Sequence, residues 1–191
     1  MIGSQIDFTK PLIKTIPGVL TDKDCRQWIE RIRSAGPELA TIETHRGAII
    51  DVSVRNNRRV MFDDADAALD LFDRIKDEAP SEIQGMKLCG VNERLRCYEY
   101  QPGQRFNMHQ DGPYQRDERE WSRYTFMVYL NEDFQGGETV FLVEPETKIT
   151  PKTGMALLFQ HPIIHEGAEV TSGTKYVIRT DLMYHWPLRL V

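Results

Sequence analysis

Residues 94–100 read RLRCYEY, and residues 124–130 read YTFMVYL. Both stretches are short and rich in β-branched and aromatic residues, which is typical of strands. Three further runs share this composition: 138–143, 155–159 and 175–184. Turn signals such as Pro102-Gly103 and Gly136-Gly137 separate the runs. Strands at such regular spacing indicate an antiparallel sandwich or jelly roll rather than a parallel sheet with crossover helices.

The first half of the chain predicts two amphipathic helices that support this β core. Thr21 and Asp24 form a capping box, and apolar residues then recur at helical spacing: Cys25, Trp28, Ile29 and Ile32. The same spacing recurs in Ala68, Leu71, Phe72 and Ile75, and Pro80 ends that segment. We therefore predict one mostly β domain over residues 1–191, with helical support in 1–90 and a β core at about 91–186.

Composition excludes several classes of function. The 191 residues include 24 Lys and Arg against 29 Asp and Glu, so the net charge is −5 and a sequence-independent grip on nucleic acid is not expected. No apolar run approaches the roughly 18 residues of a membrane span. The three cysteines have no zinc-like spacing, and the N-terminal residues lack a signal-peptide pattern. We predict a cytoplasmic protein that binds neither membrane nor nucleic acid.

The chemistry of the chain centres on two histidine motifs. In His109-Gln110-Asp111 the imidazole and the carboxylate leave the same face of an extended chain, so they can supply two metal ligands. A solvated surface pair is the alternative for this motif alone. His165 follows 56 residues later, beyond the run at 155–159. Two histidines and one carboxylate on one face of a metal is the arrangement of non-haem Fe(II) oxygenases.

A basic residue accompanies the second motif. Lys175 lies ten residues after His165 and shares strand parity with Val177 and Arg179, so all three face one side of the last strand. A cation on the inner face of an apolar strand is costly unless a partner neutralises it. A bound carboxylate is a natural partner.

From about Arg94 to Tyr184 the sequence resembles the iron(II)/2-oxoglutarate-dependent dioxygenases, in their prolyl 4-hydroxylase-like branch. The resemblance rests on motifs in the family's order: Tyr100 with Pro102-Gly103, His109-Gln110-Asp111, Tyr129-Leu130-Asn131, Gly136-Gly137-Glu138-Thr139, His165-Glu166-Gly167 and Gly173-Thr174-Lys175-Tyr176. It implies a double-stranded β-helix, the jelly-roll or cupin-like fold, in the second half of the chain.

The resemblance also implies roles for single residues. His109, Asp111 and His165 would bind Fe(II), while Lys175 and the Tyr100 hydroxyl would hold the distal carboxylate of 2-oxoglutarate. The reaction would convert 2-oxoglutarate and O2 to succinate and CO2, with ascorbate in support. It would hydroxylate a C–H bond of a peptidyl residue such as proline, or of an amino acid or small metabolite.

Arg179 competes with Lys175 for the co-substrate, because the arginine fork suits a carboxylate. The family's spacing favours Lys175. Arg179 then contacts the other end of 2-oxoglutarate, pairs with Asp111, or forms a structural ion pair. His161 stands four residues before His165, as in a helical zinc site, but Pro162 argues against a helix there. We therefore expect His161 in a loop or behind the ligands.

Two other classes of protein fit the same residues. One is a zinc hydrolase or isomerase built on the same three ligands, and the other is a binding module that keeps the fold without catalysis. Two segments also stay open. Residues 55–59, RNNRR, form either a solvated turn or a substrate contact at the mouth of the site. The charged loop 112–123 is either a mobile lid or a plain connection.

Overall fold

The computed structural model describes residues 5–44 and 47–187, and over those residues the chain is mostly β. Its helices are α1 (Asp22–Ser34) and α2 (Ala65–Asp73). The strands, in chain order, are β1 (Ile13–Ile16), β2 (Glu38–Leu39), β3 (Ile42–Thr44), β4 (Gly47–Ile49), β5 (Arg58–Asp63), β6 (Glu82–Ile83), β7 (Met86–Val91), β8 (Arg94–Tyr100), β9 (Phe106–His109), β10 (Glu120–Tyr129), β11 (Gln135–Gly136), β12 (Thr139–Phe141), β13 (Thr147–Ile149), β14 (Ala156–Gln160), β15 (His165–Gly167), β16 (Val170–Ser172) and β17 (Lys175–His185). Within residues 5–44 and 47–187, neither helix is long and apolar enough to cross a bilayer.

Two antiparallel sheets position the inner side chains. The larger has the order β1-β14-β10-β17-β8-β5-β2, and β7 also pairs with β17. The smaller has the order β13-β12-β15-β9. Phe141 of the smaller sheet packs edge-on against Phe159 of the larger, with ring centroids 5.0 Å apart. The two sheets therefore share one core.

A second core lies on the other face of the larger sheet, where both helices pack. Residues of β17 alternate between the two cores: Tyr176 and Ile178 pack with the helices, whereas Val177 packs between the sheets. This alternation follows from the period of two along a strand. It places Lys175 and Arg179 on the inter-sheet side, where both line one cavity, as parity predicts.

The structure confirms the predicted elements that carry the strongest patterns. β8 has the predicted bounds, and α1 begins at the predicted capping box, in which Thr21 Oγ1 accepts from the Asp24 N–H and the Asp24 carboxylate accepts from the Thr21 N–H. The second helix is shorter than its apolar pattern suggests. It ends at Asp73, so Ile75 is buried from the turn beyond it.

The first 90 residues contain more than the predicted helices. Strands β1, β5 and β7 also join the larger sheet there, and the sequence analysis missed them. β1 has four residues, and the exposure of β5 does not follow a simple alternation. Such strands are specified by pairing with β14 and β8 rather than by a periodic pattern of their own.

Candidate metal centre

The three predicted ligands meet between the two sheets. His109 ends β9 and His165 begins β15, and these strands pair so that the two histidines stand opposite each other in the ladder. Asp111 follows β9 by two residues. One ligand atom from each of the three side chains lies within 4.8 Å of the others. Antiparallel pairing thus brings together residues that are far apart in the chain.

The hydrogen bonds of the two imidazoles decide which nitrogen is free. Nδ1 of His109 lies 2.8 Å from the Asn107 carbonyl oxygen, and Nδ1 of His165 lies 2.9 Å from that of Ile163. A carbonyl only accepts, so each Nδ1 carries the proton and each Nε2 keeps its lone pair. The Nε2 atoms face Asp111, at 3.9 Å from Oδ1 for His109 and 3.8 Å from Oδ2 for His165.

The charges of this cluster also fit a divalent metal. Burial lowers the pKa of His109 to about 4 and lowers that of His165, so both rings are neutral near pH 7. Burial by itself raises the pKa of the Asp111 carboxyl, but Arg179 and then the nearby histidines hold it well below its usual range. Two neutral imidazoles and one carboxylate are a donor set for Fe(II) or Zn(II).

Arg179 and Thr125 hold the two oxygens of the Asp111 carboxylate. Arg179 Nη2 lies 3.1 Å from Oδ1, and the Thr125 hydroxyl donates to Oδ2 at 2.5 Å. Arg179 also pairs with Asp181 at 3.2 Å. Of the positions open to Arg179 in the sequence analysis, the structure therefore shows the pair with Asp111.

Lys175 lies in the same cavity but has a different environment. Its side chain is buried, and its Nζ donates to the Gly137 carbonyl oxygen at 2.6 Å. Among the described residues it forms no ion pair, and burial lowers its pKa to about 7 against the opposing influence of Glu138. An ammonium in such a place is costly until an anion joins it. Lys175 is thus a cation suited to an anionic ligand.

The surroundings of Lys175 explain two of the motifs. Its Nζ lies 5.1 Å from the centroid of the Tyr100 ring, and burial raises the pKa of Tyr100 to about 12, so the phenol remains a hydrogen-bond donor. Gly137 has φ +69°, and a Cβ there would lie 3.2 Å from Lys175 Cδ. A side chain at that position would strain the turn and press on the lysine. The Gly-Gly-Glu-Thr segment therefore leaves room for Lys175.

The basic segment 55–59 divides into buried and outer residues. Arg58 is exposed, and Arg59 donates to Thr41 Oγ1 at 2.9 Å. Arg55 is buried instead, with its guanidinium carbon 4.6 Å from the Tyr98 ring centroid and 4.3 Å from that of Phe106. Among the described residues its Nη2, which is buried, has no hydrogen-bond partner. Of the three arginines of this segment, Arg55 is thus the one that packs against Phe106.

The remaining predictions concern the loop and His161. The loop is shorter than predicted, because β10 begins at Glu120, and a β-bridge joins Gln115 to Trp121 within the segment 112–123. His161 lies in a turn, as expected from Pro162, and its two ring nitrogens contact Ser122 and Thr125. A helical zinc pair of His161 and His165 is therefore wrong for this chain.

Phe106 and Thr125 are neighbours of the ligands that the sequence analysis missed. Phe106 stacks on His109 with ring centroids 3.5 Å apart, and Thr125 contacts Asp111. Strand parity with Tyr129 was a usable signal for Thr125, since residues four apart on a strand share a face. No comparable pattern marks Phe106.

Comparisons with known proteins agree with this site. Residues 95–180 match the 2OG-Fe(II) oxygenase superfamily. Among solved structures, the viral collagen prolyl hydroxylase of Paramecium Bursaria Chlorella virus-1, in its 2OG complex, is 23% identical, with a TM-score of 0.66 over 93% of this chain and 98% of that one. A Pseudomonas putida prolyl-4-hydroxylase is 18% identical, with a TM-score of 0.67 over 89% and 91%.

A third similar structure is a Trichoplax adhaerens prolyl hydroxylase in complex with a hypoxia inducible factor peptide fragment, 16% identical, with a TM-score of 0.67 over 89% of this chain and 82% of that one. Among curated protein sequences, none matches the chain. At these identities the solved structures share the fold with it. Residues 95–180 belong to the 2OG-Fe(II) oxygenase superfamily, and the protein is an oxidoreductase that uses Fe(II), 2-oxoglutarate and O2.

Proposed function

We propose that this member of the 2OG-Fe(II) oxygenase superfamily hydroxylates a C–H bond of a peptidyl residue, proline or one of similar shape, while 2-oxoglutarate and O2 become succinate and CO2. The observation that carries the proposal is the convergence of His109, Asp111 and His165, whose ligand atoms lie within 4.8 Å. Their cavity also contains Lys175, which forms no ion pair among the described residues. The fold shared with prolyl hydroxylases, one of them bound to a peptide, favours a peptide over a free amino acid or metabolite.

We assign the architecture to the double-stranded β-helix, or jelly roll. Two antiparallel sheets with a shared core, and metal ligands on strands of the smaller one, support that assignment. The chain then forms one domain over residues 1–191, with its β core at about 91–186. The net charge of −5 supports a substrate other than nucleic acid.

His109, Asp111 and His165 would hold Fe(II). When bound, Fe(II) supplies redox chemistry that uses O2 and 2-oxoglutarate to oxidise a C–H bond. The chain's own contribution is to keep both imidazoles neutral, with Nε2 free, and to keep Asp111 ionised. Arg179 balances the carboxylate charge, so that the buried acid stays ionised without the metal.

Lys175 and Tyr100 would hold the distal carboxylate of 2-oxoglutarate. Lys175 is the better candidate of the two cations, because Arg179 already pairs with two carboxylates while Lys175 contacts a carbonyl. A bound carboxylate stabilises the ammonium and gives a charge-assisted hydrogen bond. The Tyr100 phenol, protonated at neutral pH, is a second donor on the same side of the cavity.

The segment 55–59 would contact the substrate through Arg55. Its guanidinium lies against Phe106, which in turn stacks on His109, so it stands beside the metal ligands. The unpartnered Nη2 is suited to a carbonyl or carboxylate oxygen of the substrate. Arg58, on β5, is exposed, and Arg59 donates to Thr41 Oγ1 instead.

The test is release of succinate from 2-oxoglutarate with Fe(II), ascorbate and a panel of proline-containing peptides and free amino acids. We expect a peptide to stimulate succinate formation and to gain one oxygen atom, and we expect His109→Ala and Asp111→Ala each to abolish both. Undiminished turnover in both variants would contradict the assignment. Zinc-dependent hydrolysis without any 2-oxoglutarate requirement would favour a hydrolase on the same ligands.

A further inference from the structure

A buried chain of hydroxyls and one imidazole ends at the Asp111 carboxylate. Thr125 Oγ1 lies 2.5 Å from Asp111 Oδ2, and His161 Nδ1 lies 3.0 Å from Thr125 Oγ1. On the far side, His161 Nε2 lies 2.8 Å from Ser122 Oγ, which accepts from the Tyr114 N–H at 2.7 Å. The hydroxyls of Ser122 and Thr125 and the His161 ring are all buried.

The proton of each link can be assigned from the partners. An ionised Asp111 only accepts, so the Thr125 hydroxyl donates to it and its oxygen must accept from His161 Nδ1–H. Burial lowers the pKa of His161 to about 4, so the ring is neutral and Nε2 is unprotonated. Ser122 then donates to Nε2, and all the bonds run in one direction towards the carboxylate.

A break in the strand makes this chain possible. Ser122 and Thr125 are three residues apart, and in a regular strand they would face opposite sides of the sheet. The register of β10 against β17 shifts between Ser122 and Tyr124, so that Arg123 is the extra residue of a bulge. The bulge brings both hydroxyls to the same ring, as bulges commonly re-aim side chains near active sites.

We propose that His161 is a positioning residue that, through Thr125, fixes the orientation of the Asp111 carboxylate for the metal. The inference rests on the proposed function, because it takes a divalent metal as the occupant of the site. Arg179 holds Oδ1 and Thr125 holds Oδ2, so the carboxylate is restrained on both oxygens. Loss of a hydrogen bond to a metal ligand typically lowers metal affinity 10- to 100-fold. We expect a loss of about that size here.

The first test compares Thr125→Val with Thr125→Ser by titration with Co(II), followed through its visible absorption. We expect Thr125→Val to bind Co(II) about 10- to 100-fold more weakly and with altered bands at saturation, and Thr125→Ser to retain wild-type behaviour. Thr180→Val is the matched control, because Thr180 is also a buried strand threonine, bonded to the Asn92 carbonyl oxygen at 2.5 Å. It should lose stability and keep its Co(II) affinity.

The second test separates positioning from packing at His161. In His161→Asn the amide nitrogen replaces Nδ1 and still donates to Thr125, whereas in His161→Gln the amide lies at the Nε2 position and leaves Thr125 without its donor. We expect His161→Asn to stay within about threefold of wild type in Co(II) affinity and His161→Gln to lose about tenfold. Unfolding of the metal-free variants, measured in parallel, reports the structural cost of each change.

Equal Co(II) affinities for His161→Asn and His161→Gln, or unchanged binding by Thr125→Val, would overturn the positioning role alone. Wild-type protein that fails to bind Co(II) would overturn the metal site and this role together. If His161→Gln does not fold, the pair Thr125→Val and Thr125→Ser still decides the question.

Discussion

Two cations on one face of β17, the buried Lys175 and the largely buried Arg179, have opposite environments. Arg179 lies between Asp111 and Asp181, which together outweigh the cost of burial and raise its pKa above the ordinary value. Lys175, four residues earlier, forms no ion pair among the described residues, and burial lowers its pKa to about 7. Arg179 is therefore neutralised within the protein, whereas Lys175 needs a ligand.

A residue that supports a site is expected to differ in its ion pairs from one that binds an anionic ligand. An ion pair that is complete in the folded chain stabilises the fold, and removing one partner leaves a buried charge. A buried cation without a counter-ion costs stability, and that cost is relieved only when an anion binds. Strand parity alone gives Lys175 and Arg179 equivalent positions. The side chains that surround them differ, because Arg179 has two carboxylates beside it and Lys175 has a carbonyl.

The largest expected contrast comes from replacing each cation by methionine. Arg179→Met leaves Asp111 and Asp181 buried without their shared partner, so we expect the free energy of unfolding to fall by about 3–5 kcal/mol. Lys175→Met removes an unpaired charge, so we expect unchanged or higher stability and about 30- to 150-fold weaker 2-oxoglutarate binding, from a charge-assisted bond of about 2–3 kcal/mol. Urea unfolding and calorimetric titration measure the two quantities.

The control for this pair is Lys152→Met, because Lys152 is an exposed lysine whose ion pair with Glu132 lies at the surface. It should change neither stability nor 2-oxoglutarate affinity appreciably. A loss of stability in Lys175→Met as large as that in Arg179→Met would contradict the distinction between the two cations.

A smaller effect is expected from pH. The free ammonium of Lys175 loses its proton as the pH rises through about 7. Because the carboxylate of 2-oxoglutarate needs the charged form, we expect its affinity to be highest below pH 7 and to fall by up to about tenfold per pH unit above it. Isothermal titration between pH 6 and 9 measures this slope. In Lys175→Arg the slope should vanish, since the guanidinium stays charged; a slope that persists there would place the titrating group elsewhere.

The smallest effect on the site is expected from Asp181→Asn. Asp181 also pairs with Arg96 at 3.1 Å, and its ion pairs among the described residues are with Arg96 and Arg179. Arg179 would keep its contact with Asp111, so we expect Co(II) affinity to change by less than about threefold and the free energy of unfolding to fall by about 1–3 kcal/mol. If the free energy of Co(II) binding fell by as much as the free energy of unfolding, Asp181 would act on the predicted ligands through Arg179.

Local pattern predicted much of the fold and of the site. The run RLRCYEY predicted β8, and the capping box of Thr21 and Asp24 predicted the start of α1, because both signals lie within one turn or one strand. The motif at His109 and Asp111 could be recognised in the sequence, because both side chains leave the same face of an extended chain. Strands β1, β5 and β7 were not predicted; β1 and β5 pair with β14 and β8, which are distant in the chain, and show no periodic pattern of their own.

By itself, the sequence predicted which residues would supply the chemistry: two histidines, one aspartate and a lysine at family spacing. Only the tertiary structure decided which nitrogen of each histidine is free, which cation is already paired, and that Thr125 links His161 to Asp111. The physical reason is that residue type and parity fix what a side chain can do and which face it leaves. Its charge state and orientation depend on burial and on partners that distant strands bring into contact.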